Sequence, residues 1–108
     1  MDAYNGSLYV FSEVTTGRKL LRYSYDGELL EEISHPRGTY FMTIHNGILY
    51  SSRIYSYLSR FDLTSKTFLS DIYSPAVQTS GIRIVDDFLY YCDDFKWIVG
   101  RVPIEDIE

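Results

Sequence analysis

Three copies of one short figure constrain this chain more than any other feature. Asn5-Gly6-Ser7-Leu8-Tyr9 returns as Asn46-Gly47-Ile48-Leu49-Tyr50 and again as Asp86-Asp87-Phe88-Leu89-Tyr90. Tyr50 lies 41 positions after Tyr9, and Tyr90 lies 40 after Tyr50. A period of about forty residues belongs to small supersecondary units that bury their faces only against copies of themselves.

The residues between the copies alternate in the manner of strands and are punctuated by turn signals every eight to twelve positions. Ser7 to Ser12 and Lys19 to Tyr25 read as strands around a Thr15-Thr16-Gly17 break. Asp26-Gly27 is a two-residue hairpin signal, because both residues tolerate positive φ, and Leu29 to Ile33 returns as the next strand. Thr39 to Ile44, Ile48 to Arg53, Tyr57 to Asp62 and Thr67 to Ile72 make a second set, with its first hairpin at Asn46-Gly47. Gly81 to Val85, Phe88 to Cys92 and Trp97 to Val102 make a third. No window carries apolar residues at helical spacing over a helix length. The chain is therefore expected to be all-β, a meander of ten short antiparallel strands, four to a repeat. Residues 1–36 form a repeat lacking its first strand, 37–76 a complete one, and 77–108 one lacking most of its last strand.

Tandem four-stranded meanders of this length are the blades of a β-propeller, so the expected fold is a partial propeller of about two and a half blades. Each repeat also carries an arginine after its Leu-Tyr strand, at Arg22, Arg60 and Arg101, with an apolar residue three positions later, at Tyr25, Leu63 and Ile104. Leu-Tyr followed by Arg-x-x-apolar resembles the YWTD repeat of the low-density-lipoprotein-receptor class B family. That pattern reads roughly G-L-A-V-D, then L-Y-W-T-D, then I-x-R-x-x-L-D-G. The third repeat is nearest, with Gly81-Ile82-Arg83-Ile84-Val85-Asp86 and Leu89-Tyr90-Tyr91-Cys92-Asp93. The first two keep only Leu-Tyr, in Leu8-Tyr9-Val10-Phe11-Ser12 and Leu49-Tyr50-Ser51-Ser52-Arg53. NHL-type and gluconolactonase-like propellers carry a similar G-x-L-Y-V element. The resemblance implies a six-bladed receptor-ectodomain type of scaffold at the cell surface or outside the cell, with structural signature residues.

Physical reasoning assigns Tyr9, Tyr50 and Tyr90 the same structural role. A tyrosine recurring at one strand position is expected to pack its ring between sheets and donate its hydroxyl to a loop carbonyl. Arg22, Arg60 and Arg101 are expected to bond backbone or acidic groups of an adjacent blade. Function should then lie where the repeats disagree. The loops after the Leu-Tyr strands differ most, at Glu13 to Arg18, at Ile54-Tyr55-Ser56 and at Asp93-Asp94-Phe95-Lys96. By symmetry they share one rim, which makes Tyr55, Phe95 and Trp97 the candidate binding aromatics.

The expected partner is a protein or peptide, together with further blades or a second copy of the chain, since fewer than four blades leave sheet faces bare. A formal charge of −5 with ten scattered basic residues argues against nucleic acid. No apolar run approaches the roughly twenty residues of a membrane helix. The single cysteine, Cys92, forms no internal disulfide and is expected as a small buried apolar residue of a strand. Asn5-Gly6-Ser7 is both the repeat's turn and a glycosylation sequon if the protein is secreted. No cofactor is expected. The alternative is part of a metal-dependent hydrolase or lactonase-like propeller, with His45 and Asp86 at equivalent strand ends, and Asn46 and Asp87 adding oxygen ligands for Ca²⁺.

Overall fold

A computed structural model of the chain describes residues 1–14, 17–34, 41–52, 57–76 and 79–108. The protein is all-β, with three antiparallel sheets and no α-helix among the described residues. The chain divides into two compact units, Met1–Arg37 and Gly38–Glu108.

The first unit is one four-stranded meander in the order β1 (Asp2–Tyr4), β2 (Ser7–Val14), β3 (Gly17–Ser24) and β4 (Leu29–Ser34). Strand β1 corrects the sequence expectation, which gave this repeat no opening strand. Three residues, Asp-Ala-Tyr, are too few to show an alternating pattern, and it is pairing with Tyr9, Leu8 and Ser7 that makes them a strand. Strand pairing extends into the loop expected over Glu13 to Arg18, as far as Val14 opposite Gly17, and residues 15 and 16 lie outside the described set.

The second unit holds two sheets. One joins β5 (Met42–His45), β6 (Ile48–Ser52), β7 (Tyr57–Asp62), β8 (Thr67–Phe68) and β9 (Ile72–Tyr73), the last two both pairing with β7. A single strand over Thr67 to Ile72 was expected. It is split because the Arg60 guanidinium takes the Ser70 carbonyl at 3.0 Å and its hydroxyl at 3.1 Å, interrupting the ladder between Phe68 and Ile72. The other sheet is β10 (Thr79–Val85), β11 (Phe88–Asp93) and β12 (Ile98–Pro103), followed by a 3₁₀ turn at Ile104–Asp106. Trp97, expected to open the last strand, has φ 58° and belongs to the preceding turn.

One register runs through all three sheets. Tyr9 faces Arg22, Tyr50 faces Arg60, and Tyr90 faces Arg101 across directly paired strands. On the other side, Leu8, Leu49 and Leu89 pair with Ala3, Ile44 and Ile84. The hairpins match as well, with φ of 51° and 78° at Asn5-Gly6, 50° and 77° at Asn46-Gly47, and 50° and 63° at Asp86-Asp87. Two successive residues of positive φ give the type I′ geometry whose twist suits a two-residue hairpin, and Asn, Asp and Gly are the residues that tolerate it.

Within the second unit the sheets pack face to face. Tyr50, Leu58 and Ile72 from one sheet meet Leu89 from the other, with Ile104 of the 3₁₀ turn in the same buried cluster. Ile48, Ile82, Ile84 and Val102 close its margin. The Ile84 amide donates to the hydroxyl of buried Thr43 at 3.0 Å, a polar tie between β10 and β5.

Two glycines separate backbone strain from packing. Gly47→Ala places a Cβ at φ +77° and should cost roughly 1–2 kcal/mol. Gly81→Ala meets nothing closer than the Cys92 sulfur at 4.0 Å, with no positive φ, and should fall within about 0.5 kcal/mol of the parent. Urea denaturation of both variants checks the pair.

Candidate functional site

The recurring Tyr-Arg pair comes first, because each sheet builds it alike and uses it locally. Arg22 Nε lies 3.1 Å from Glu31 Oε1 on the neighbouring strand, and its Nη1 donates to Ser7 Oγ at 3.2 Å. Arg60 holds Ser70 as described. The Arg101 guanidinium lies 4.7 Å above the Phe88 ring, a cation–π contact. Among the described residues these partners all belong to the arginine's own repeat, where the expectation had put them in an adjacent one. The pairing explains why: an arginine in the third strand stands beside the second and fourth strands, and its fork is satisfied there before it can reach farther.

The tyrosines diverge. Tyr9 and Tyr50 are buried, whereas Tyr90 is exposed. Tyr50 donates its hydroxyl to the Glu108 carboxylate rather than to a loop carbonyl. Burial pushes its pKa above the ordinary tyrosine range; the bond to Glu108 and that carboxylate's negative charge push the same way, and Arg60 opposes them.

Beside this bond, a cleft of about 530 Å³ opens at the turn end of the third sheet. Asp86, Asp87, Glu105 and Glu108 line it with His45 and Asn46, against Phe88, Pro103 and Ile104. His45 closes β5, and its Nε2 stands 3.2 Å from Asp87 Oδ1 and 3.2 Å from the Asn46 amide nitrogen. A proton on Nε2 favours the carboxylate; without it, the ring accepts from Asn46. By register, Asp86 is equivalent to Asn46, and the residue equivalent to His45 is Val85, so His45 and Asp86 are not matching positions. Among the described residues, no three His, Cys, Asp or Glu side chains converge closely enough to hold a metal ion. Four carboxylates around one imidazole make a surface suited to a cationic group. Glu105 and Glu108 escaped the sequence reading. The available signal was the equivalence of Ile104 to Leu63, whose amides donate to Asp87 and Gly47 carbonyls at 2.9 and 3.0 Å.

The aromatic loop lies at the other end of β11. Asp93, only 2% exposed, accepts the amides of Phe95 at 3.0 Å and Lys96 at 3.3 Å through Oδ1. This Asx turn fixes a loop whose aromatics point outward: Phe95 is 69% and Trp97 91% exposed. Tyr55, the third expected aromatic, lies outside the described residues. No protein-family model and no curated protein matches this chain.

Tyr50→Phe removes the bond to Glu108 and should cost about 1 kcal/mol at neutral pH. The folded protein holds the Tyr50 proton to higher pH than the unfolded chain, which releases it near pH 10. Stability contributed by Tyr50 is therefore complete below pH 10 and declines as pH rises beyond it. Tyr50→Phe should lack that part of the alkaline decline, as read by denaturation at pH 8 to 11. Asp93→Ala should speed amide hydrogen exchange at Phe95 and Lys96, while Asp93→Asn, which keeps an acceptor oxygen, should leave it near the parent rate.

Proposed function

We propose that this chain is a run of β-propeller blades, of the class its Leu-Tyr signature resembles, and that it works as a scaffold for a protein or peptide partner. Three observations support the blade reading: the shared Tyr-Arg register, the repeated type I′ hairpins, and the face-to-face packing of the two sheets within residues 38–108. The shared arginines are occupied by neighbours within their own sheets, which turns the search for a peptide site to positions the repeats do not share.

The observation that carries the binding reading is the loop after β11. Large aromatics exposed on a backbone held by a buried carboxylate lose little freedom when a partner covers them, and tryptophan is the residue most enriched among interface anchors. A buried Asp93 beneath exposed Phe95 and Trp97 keeps that surface arranged before any partner arrives. The partner chemistry is an extended or folded polypeptide surface with an apolar pocket for an indole.

The chain has one tryptophan, so its fluorescence reports the loop directly. Selection of a displayed peptide library against the purified chain should enrich binders that shift the Trp97 emission to the blue. Their affinity should fall at least about tenfold with Trp97→Ala and with Phe95→Ala. Enriched peptides that bind both variants as tightly as the parent, or a library that yields none, would sink the reading.

A further inference from the structure

The three sheets share a register but not an environment, and the third sheet shows the difference most clearly. Side chains alternate across a strand, so Tyr90 points away from the face that carries Leu89. Pairing puts Arg83, Val85, Cys92, Val99 and Arg101 on the Tyr90 face. Tyr50, at the equivalent position of the preceding sheet, is 1% exposed because the Leu89 face covers it; Tyr90 is 37% exposed, and Val99 beside it 75%. An apolar sheet face of the same construction as a buried one therefore stands open.

We propose that a second copy of this chain covers it, head to tail, with the Tyr90 face of one copy seated against the Leu8 face of the next copy's first sheet. The packing inside residues 38–108 supplies the template. There a tyrosine face receives the leucine face of the following sheet, and Leu8 occupies in its sheet the position that Leu89 occupies in the third. Register places Val10, Leu21, Tyr23 and Leu29 on the side of Leu8, and Leu29 is exposed. Charge selects the same arrangement. The Tyr90 face carries Arg83 and Arg101 and no carboxylate, on a chain of net charge −5, so it attracts another copy. Placing it against itself would bring four guanidinium groups together, which disfavours a two-fold contact through this face. On the Leu8 face Glu32 and Lys19 pair with each other at 3.5 Å, so that face brings no excess positive charge toward the arginines.

Sedimentation velocity of the intact chain over micromolar concentrations tests the contact. The expected species has at least twice the 12.6 kDa mass of one chain. Tyr90→Lys and Leu8→Lys should each sediment as monomers, with dissociation constants weakened at least tenfold. Mixed in equal amounts they should associate, because the unaltered Leu8 face of one variant meets the unaltered Tyr90 face of the other. Val99→Lys, at a more exposed position, is the second variant should Tyr90→Lys disturb the fold. The sole cysteine gives an independent reading: Cys92, expected to be buried, is exposed, because it lies on the uncovered Tyr90 face. Its reaction with an aromatic disulfide reagent should be slower in the associated parent than in Tyr90→Lys. A parent that stays monomeric at every concentration with freely reactive Cys92 would overturn the proposal. So would association that survives Tyr90→Lys and Val99→Lys, or a mixture of the two monomeric variants that fails to associate.

Discussion

The enclosure of Tyr50 between two sheets is the interaction on which the second unit depends. A twisted antiparallel sheet has two faces, and one with apolar residues on both cannot leave both to water. Tyr50 brings a large ring to that problem and a polar hydroxyl with it. Leu58, Ile72, Leu89 and Ile104 surround the ring, and Glu108 accepts from the hydroxyl. Remove the acceptor and a buried donor is left to its desolvation cost; remove the ring and the sheets lose their largest shared contact. The 3₁₀ turn that delivers Ile104 and the segment that ends at Glu108 are held by the same contact.

From that constraint the division of labour among the repeated residues follows. Leucine sits on one face of each central strand and tyrosine on the other, so each sheet can offer one face and receive another. Among the described residues the arginine opposite each tyrosine settles within its own sheet, on Glu31 and Ser7, on Ser70, or over Phe88. Chemically different partners at one register position show that the arginine is kept for its five donors and flat cation, which many neighbours can satisfy.

Much of this architecture was legible in the residue pattern. Period-two alternation and Asn-Gly or Asp-Asp dipeptides are local signals, so the strands from Ser7 to Ser24 and the three hairpins follow from neighbouring residues alone. Strand β1 was not legible, because three residues carry no period and only the pairing partner defines them. The break between Phe68 and Ile72 was hidden for a related reason: it depends on where the Arg60 side chain turns, ten residues away in sequence. The last strand is expected to open at Trp97, yet Trp97 has φ 58° and closes the turn in which Asp93 accepts the Phe95 and Lys96 amides. The extent of that turn was not legible from the alternation.

For the candidate site, the sequence named Phe95, Trp97, His45 and Asp86 but could not relate them. The aromatic pair stands at one end of β11, and the acidic cleft with His45 stands at the other. By itself the sequence determined an all-β chain of three like-registered meanders, because alternation and turn preferences act within a few residues. The tertiary structure alone decided which copy of the recurring tyrosine is covered and which is open. It also decided that Glu108 would answer Tyr50, because burial and long-range hydrogen bonds depend on which sheet lies above which, and no short stretch of residues records that.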